Sequence, residues 1–327
     1  MENYQPPFTI TNRMLIYVSE IAEKVGRLSA YRTIDTKPML RRNNRIKSVH
    51  SSLKIEANSL TEGMVRSVLN HKAVIGPEKE IREVRNAFAA YDMIDSVSPY
   101  STDDLRKLHG VMTYLTVEES GIYRSTAEGV FEGDRCIFLA PPPEFVASLI
   151  DSLFDWMKRA EGTVHPLILS CVFHYEFVFI HPFSDGNGRM ARLWQTILLS
   201  KWNPIFKYIP IESQIERFQE GYYEAIAVSN SQGSSTAFIE FMLERINEIL
   251  DTVLRENGFA ISPYVEKLLS VMEYDRTYSA SELLGLLILK SNEALRANYL
   301  NPALADDLIE MTIPERPTSR NQRYMKK

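Results

Sequence analysis

Cysteine is nearly missing from this chain: 327 residues hold two, Cys136 and Cys171, and neither belongs to a Cys-x-x-Cys pair. That excludes a disulfide framework and a cysteine zinc cluster as organising devices, and it suits a reducing compartment. Long apolar runs are missing too. No stretch approaches the roughly 20 residues that a membrane-crossing helix needs, so no membrane partner is expected. The opening MENYQPPFTITNR has no basic segment followed by an apolar one and does not read as a secretory leader, which makes the cytoplasm the expected location. A strong charge of either sign is also lacking. With a net charge of −5 the whole chain is no electrostatic trap for nucleic acid or anionic lipid. What is present is an ordinary globular composition, 45% hydrophobic and 24% charged, at a length that holds two or three domains.

Apolar residues recur at spacings of three and four through most of the chain, which predicts helices near 12–27, 44–57, 79–97, 103–115, 144–160, 164–178, 189–202, 214–230 and 236–256. Two regions depart from this. TAEGVFEGDRCIFLAPPP, residues 126–143, places β-favouring residues around Glu132-Gly133-Asp134 and ends in a proline run that forbids helix, so a short hairpin is expected there. Beyond Asn257-Gly258, a helix stop, a smaller unit begins: SASELLGLLIL and SNEALRANYLNPAL read as helices, and DLIEMTIPERPTSRNQRY as two short strands around a turn. Helix, helix, hairpin is the order of a winged helix.

The chemistry concentrates in HPFSDGNGRMAR, residues 181–192, between the apolar segments SCVFHYEFVFI and MARLWQTILL. Gly186 and Gly188 permit backbone torsions that let successive N–H groups converge on one anion. The loop opens a helix, whose free N–H groups and dipole also favour negative charge. Arg189 and Arg192, three apart, share a face and can grip phosphate oxygens. Asp185 offers a hard oxygen to Mg²⁺ carried by phosphates. His181 ionises near neutrality and can act as a general base. Together these suit phosphoryl-type transfer, where positioning and charge neutralisation dominate. A P-loop is excluded, because Arg189 stands where Gly-Lys-Ser/Thr is required. A metal site from His174, Glu176, His181 and Asp185 is a rival reading that explains neither the glycines nor the arginines.

The same stretch resembles the signature of the Fic family, H-x-F-x-D/E-G-N-G-R-x-x-R, with every fixed position present; the similarity extends over about residues 51–245. The resemblance implies a mainly α fold: a helical bundle with a small β-hairpin flap, followed by a winged helix-turn-helix. The expected organisation is residues 1–100 as a helical region, 101–256 as the catalytic core and 260–327 as the winged helix. It further implies transfer of AMP from ATP to a Ser, Thr or Tyr hydroxyl of a target protein, with His181 as base and Asp185 holding Mg²⁺. Gly186, Asn187 and Gly188 would cradle phosphates, Arg189 would take the β-phosphate and Arg192 the γ-phosphate. Phe183 would anchor the loop from inside the core. Val130, Phe131, Ile137, Phe138 and Leu139 would form the flap that holds the target segment by strand-like pairing.

Upstream, SSLKIEANSL resembles the inhibitory helix motif of Fic proteins, S/T-x-x-x-E-G/N, with Ser52 and Glu56 in the fixed places and Ala57 departing from the pattern. The expectation is that Glu56 pairs with Arg192 and takes it from the γ-phosphate. In some members the same glutamate is linked to removal of AMP from a modified target, so a de-AMPylase stays open, as does a nucleotide-sensing winged-helix regulator. Residues 260–327 carry balanced charge, with Arg296, Arg320 and Arg323 as candidate contacts for DNA; a protein partner or a homodimer stays equally open.

Overall fold

A computed structural model describes residues 4–30, 38–132, 135–256, 262–306, 308–317 and 319–327, with backbone alone at 130–132 and 135–137, and it divides into two compact units, Met1–Glu256 and Asn257–Lys327. The first unit is helical. α1 (Asn12–Ala30), α2 (Pro38–Ile55), α3 (Glu62–Leu69), α4 (Glu78–Asp92) and α5 (Thr102–Met112) precede a hairpin of β1 (Gly129–Glu132) and β2 (Arg135–Leu139). Then come α6 (Pro143–Ala160), α7 (Pro166–Ile180), α8 (Asn187–Trp202), α9 (Ile211–Arg217), α10 (Gln219–Gln232) and α11 (Thr236–Glu256). No helix among the described residues is long and apolar enough to cross a membrane.

The centre is the α7–α8 pair. A helix that is apolar on every side has to lie in the interior, and every residue of α7 from 167 to 177 is buried. Pro166 starts it at the position where a missing N–H costs nothing, and His165 Nδ1 caps it by accepting the Leu167 N–H at 3.2 Å. α8 is buried from residue 189 to 200 and packs along α7, so the loop joining them is fixed at both ends by the core. Around this pair α1 lies on α11, and α2 lies on α4 and α9.

Local differences from the periodicity have local causes. α3 was too short to show a helical repeat; it is set by Thr61, whose Oγ1 accepts the Met64 N–H at 3.3 Å. The stretch expected as one helix over 79–97 ends at Asp92 and tightens into a 3₁₀ turn, Ile94–Ser96. The stretch expected over 214–230 is broken at Phe218, whose ring is pinned under the Arg245 guanidinium, 4.1 Å from its centroid.

The second unit runs α12 (Pro263–Val271), β3 (Thr277–Ser279) and α13 (Ala280–Leu286), then α14 (Asn292–Ala294), which widens into a π-helical turn, Leu295–Leu300, and continues as α15 (Asn301–Ala305). Pro302 has no N–H to give the ladder, which accounts for the widened turn before it. β4 (Ile309–Met311) and β5 (Arg323–Lys326) complete an antiparallel sheet in the order β3-β5-β4, one strand more than the sequence pattern showed. Its core gathers Val265, Leu268, Tyr278, Leu283, Leu295 and Ile309. Ser279 and Glu282 form a reciprocal capping box at the start of α13.

Candidate active site

The loop between α7 and α8 begins with a reversal of handedness. His181 caps α7 in the left-handed region at φ 52°, its N–H still on the Phe177 carbonyl at 3.0 Å. A left-handed residue there ends the helix and turns the ring off its axis. Burial lowers the His181 pKa from its usual value, and a ring hydrogen bond to the Val178 carbonyl opposes the shift. The imidazole is therefore neutral near pH 7 and able to accept a proton.

Four packing devices hold the loop. Phe183 is fully buried and stacks on His109, centroids 3.6 Å apart. His109 Nδ1 accepts the Gly121 N–H at 2.9 Å, so its proton sits on Nε2, which donates to the Asp185 carbonyl at 2.9 Å. Burial depresses its pKa to about 4, which keeps it in this neutral tautomer. Asn187 spans the loop: Nδ2 donates to the Phe183 carbonyl at 2.7 Å and Oδ1 accepts the Phe183 N–H at 2.9 Å. Arg124, buried, donates Nε to the His181 carbonyl at 2.7 Å, Nη1 to Thr126 at 2.7 Å and Nη2 to Pro141 at 2.6 Å, which ties both ends of the hairpin segment to the loop.

At the start of α8 the backbone passes through Gly186 at φ 82°, where a Cβ would meet Thr113 Cγ2 at 3.0 Å and His109 Nε2 at 3.4 Å. Glycine is required there by torsion and by space. Asp185 Oδ1 accepts the Gly186 N–H at 2.5 Å and Arg189 Nη2 at 2.9 Å; its other oxygen makes no hydrogen bond among the described residues. A half-exposed carboxylate with one oxygen unbonded fits a Mg²⁺ whose remaining ligands are phosphate oxygens and water. Arg189 is buried, yet its Nε and Nη1 have no hydrogen-bond partner among the described residues. Unpaired guanidinium nitrogens in the interior are costly and are satisfied by a bound anion.

Glu56 takes up part of that anion site. Its carboxylate accepts Arg192 Nη2 at 2.6 Å and lies against the Gly188 Cα, in the very space a Cβ would need. Arg192 side-chain exposure is 1%, and the same guanidinium donates Nε to Ser52 Oγ and Nη2 to the Ser52 carbonyl, both at 3.0 Å. Ser52 and Glu56 thus reach Arg192 together from one face of α2. On its other side stands the buried Tyr222, whose O–H donates to His174 Nε2 at 2.9 Å, while His174 Nδ1 donates to Gln195 Oε1 at 2.6 Å. α2 is itself clamped by Glu216, which accepts Ser51 Oγ at 2.6 Å and Lys54 Nζ at 2.7 Å.

The hairpin pairs Gly129 with Leu139 and Val130 with Phe138, and the register shifts between Val130 and Phe131. The Phe138 ring lies 5.5 Å from Phe179 and Leu139 is exposed; the side chains of Val130, Phe131 and Ile137 and the tip at Gly133 and Asp134 lie outside the described residues. The four-residue metal reading is overturned. His174 is spent on Gln195 and Tyr222, Glu176 accepts the Tyr4 hydroxyl at 2.6 Å, and no metal-holding group of His, Cys, Asp and Glu occurs among the described residues. His109 and Arg124 went unnoticed in the sequence because each is a single residue in an unremarkable segment, distant from the loop it supports.

Residues 99–199 match the model of the Fic/DOC family, and residues 263–325 match that of the Filamentation induced by cAMP protein Fic-like, C-terminal domain. A solved structure of a Fic family protein from Desulfovibrio desulfuricans G20 is 41% identical, covers 99% of this chain and is itself covered to 98%, with a TM-score of 0.75. Among curated relatives, the Protein adenylyltransferase Fic of Nematostella vectensis is 29% identical over 222 residues, 63% of this chain and 48% of that protein. The Protein adenylyltransferase fic-1 of Caenorhabditis elegans is 30% identical over 207 residues, 59% of this chain and 38% of its own. The chain spans about half the length of the first of these relatives, or less.

Proposed function

The chain belongs to the Fic family, and we propose that it is a protein adenylyltransferase that moves AMP from ATP to a hydroxyl of a target protein and is restrained by Glu56. The observation that carries this reading is the Glu56 carboxylate lying against Gly188 and paired with Arg192: a protein anion seated at the start of α8, where phosphates would bind. His181, neutral in the fold, would take the proton of the target hydroxyl. The hydroxyl oxygen would then attack the α-phosphorus in line, the bond to the bridging oxygen would break, and pyrophosphate would leave with its charge held by Arg189, Arg192 and the backbone of residues 186–188. Mg²⁺, held by Asp185, would supply charge neutralisation across the phosphates. The target segment would pair with the open edge of the hairpin. The second unit, read as a winged helix, would serve as the docking module for a partner; of the three candidate arginines, Arg323 is already engaged by Thr277 and Glu282, and Arg296 and Arg320 are exposed.

Intact-mass spectrometry after incubation with ATP and Mg²⁺ tests the reading. Glu56→Gly should gain the mass of AMP, on itself or on a target in a lysate given labelled ATP. Adding His181→Ala should lower that transfer by about 10²–10⁴-fold. Equal transfer by the parent and Glu56→Gly at saturating ATP would remove the brake from the account.

A further inference from the structure

Arg189 is sealed from water and under-bonded, and among the described residues one carboxylate besides Asp185 pairs with it. This is Glu83 of α4, whose Oε1 lies 3.5 Å from Arg189 Nη1, longer than a hydrogen bond. The other oxygen of the same carboxylate accepts Asn58 Nδ2 at 2.9 Å. Asn58 is the residue whose N–H closes the end of α2 on the Leu53 carbonyl at 3.1 Å. One largely buried acid therefore touches both a cation of the anion site and the end of the helix that carries Glu56. No sequence motif marks it.

We propose that Glu83 is a positioning residue for nucleotide binding: it keeps Arg189 paired and aimed once Asp185 has been given over to a divalent cation. The proposal rests on the functional reading above. A guanidinium out of water needs a fixed anion beside it. Asp185 serves that need at 2.9 Å. A bound divalent cation would draw off the Asp185 charge, because the ion is the strongest local charge at such a site. Glu83 then remains as the protein anion next to Arg189. It stands on the Nη1 side, so the edge formed by Nε and Nη2 stays turned to a phosphate, the edge suited to forked contact with an oxyanion. With α2 in place, Glu83 is divided between Arg189 and Asn58. Withdrawal of the end of α2 breaks the Asn58 bond and leaves both carboxylate oxygens for Arg189, so release of Glu56 and readiness of Arg189 become one event.

The test uses the full chain in a Glu56→Gly background, where the brake is absent. Mg-ATP affinity is read by calorimetry and AMP transfer by mass spectrometry, in that protein and with Glu83→Gln or Asn58→Ala added. Glutamine keeps the size of the side chain and can still accept from Asn58, and a thermal unfolding curve for each protein confirms the fold. The expected result is ATP affinity weakened about tenfold or more by Glu83→Gln, with KM for ATP rising in step and kcat moving less. Asn58→Ala should raise affinity severalfold, because it leaves the second Glu83 oxygen to Arg189 while α2 stays in place. Unchanged ATP affinity in folded Glu56→Gly/Glu83→Gln would overturn the proposal, since a mere anchor for Asn58 tolerates glutamine. If Glu56→Gly binds Mg-ATP but transfers nothing, the adenylyltransferase reading falls while the affinity comparison still decides Glu83.

Discussion

Two helix ends face each other across the site, and they are built on opposite terms. The N-terminus of α8 turns through a glycine at φ 82°, where a Cβ would be strained by torsion and tight against Thr113 and His109. The C-terminus of α2 turns through Ala57 at φ 63°, with the Ala57 N–H on Lys54 and the Asn58 N–H on Leu53, both about 3 Å. That is the residue position at which glycine or asparagine usually closes a helix, and an alanine there carries left-handed strain of about 1 kcal/mol. The difference is instructive. At Gly186 the loop before α8 has the residue that its torsion favours, and Phe183, His109, Asn187 and Arg124 lock it, His181 at its own left-handed φ of 52° included. The end of α2 keeps a strained residue beside the glutamate, so part of what holds Glu56 in place is offset by what would unwind the turn after it.

The largest test of the locked end is Gly186→Ala. Left-handed strain and the contacts with Thr113 and His109 should lower the unfolding free energy by about 2–3 kcal/mol and remove AMP transfer in the Glu56→Gly protein. A loss below about 0.5 kcal/mol in urea titration would show that the loop is not locked as described. Arg124→Met comes next. It leaves several carbonyls without their donor and frees the hairpin from His181, so transfer should fall about tenfold, with faster hydrogen exchange at residues 126 and 140.

Acidification probes the same end more gently. His109 is depressed to about 4 in the fold, against about 6.5 in an unfolded chain. Its contribution to stability is therefore complete above pH 6.5 and is lost as the pH falls from there through 4, because the unfolded chain binds the proton first. His181 is shifted in the same direction, so transfer by Glu56→Gly should stay level through neutrality and fall only below the usual histidine range. A rate that halves already above pH 7 would contradict a buried neutral base. The smallest effect is expected at the other end. Ala57→Gly relieves the strained turn and should raise the unfolding free energy by at most about 0.6 kcal/mol, net of the added freedom of the unfolded chain, and lower basal transfer about twofold. A drop in the unfolding midpoint would remove the contrast between the two ends.

Sequence alone determined the helical character, because a spacing of three and four is a local property of the chain, and it located the hairpin through a proline run and the glycines beside it. It also marked the anion loop. His181, Asp185, the glycines and the arginines there lie within a dozen residues, close enough for one turn of backbone to bring them together. The tertiary structure decided what comes from afar. His109 and Arg124 reach the loop from α5 and from the segment before the hairpin, and Glu83 reaches Arg189 from α4. Such partners carry no local pattern, since burial and contact between distant segments are set by packing and not by spacing. Glu56 stands between the two cases. Its place opposite Ser52 on one helix face was readable in the chain, but only the packing of α2 on α4 and α9 puts its carboxylate against Gly188.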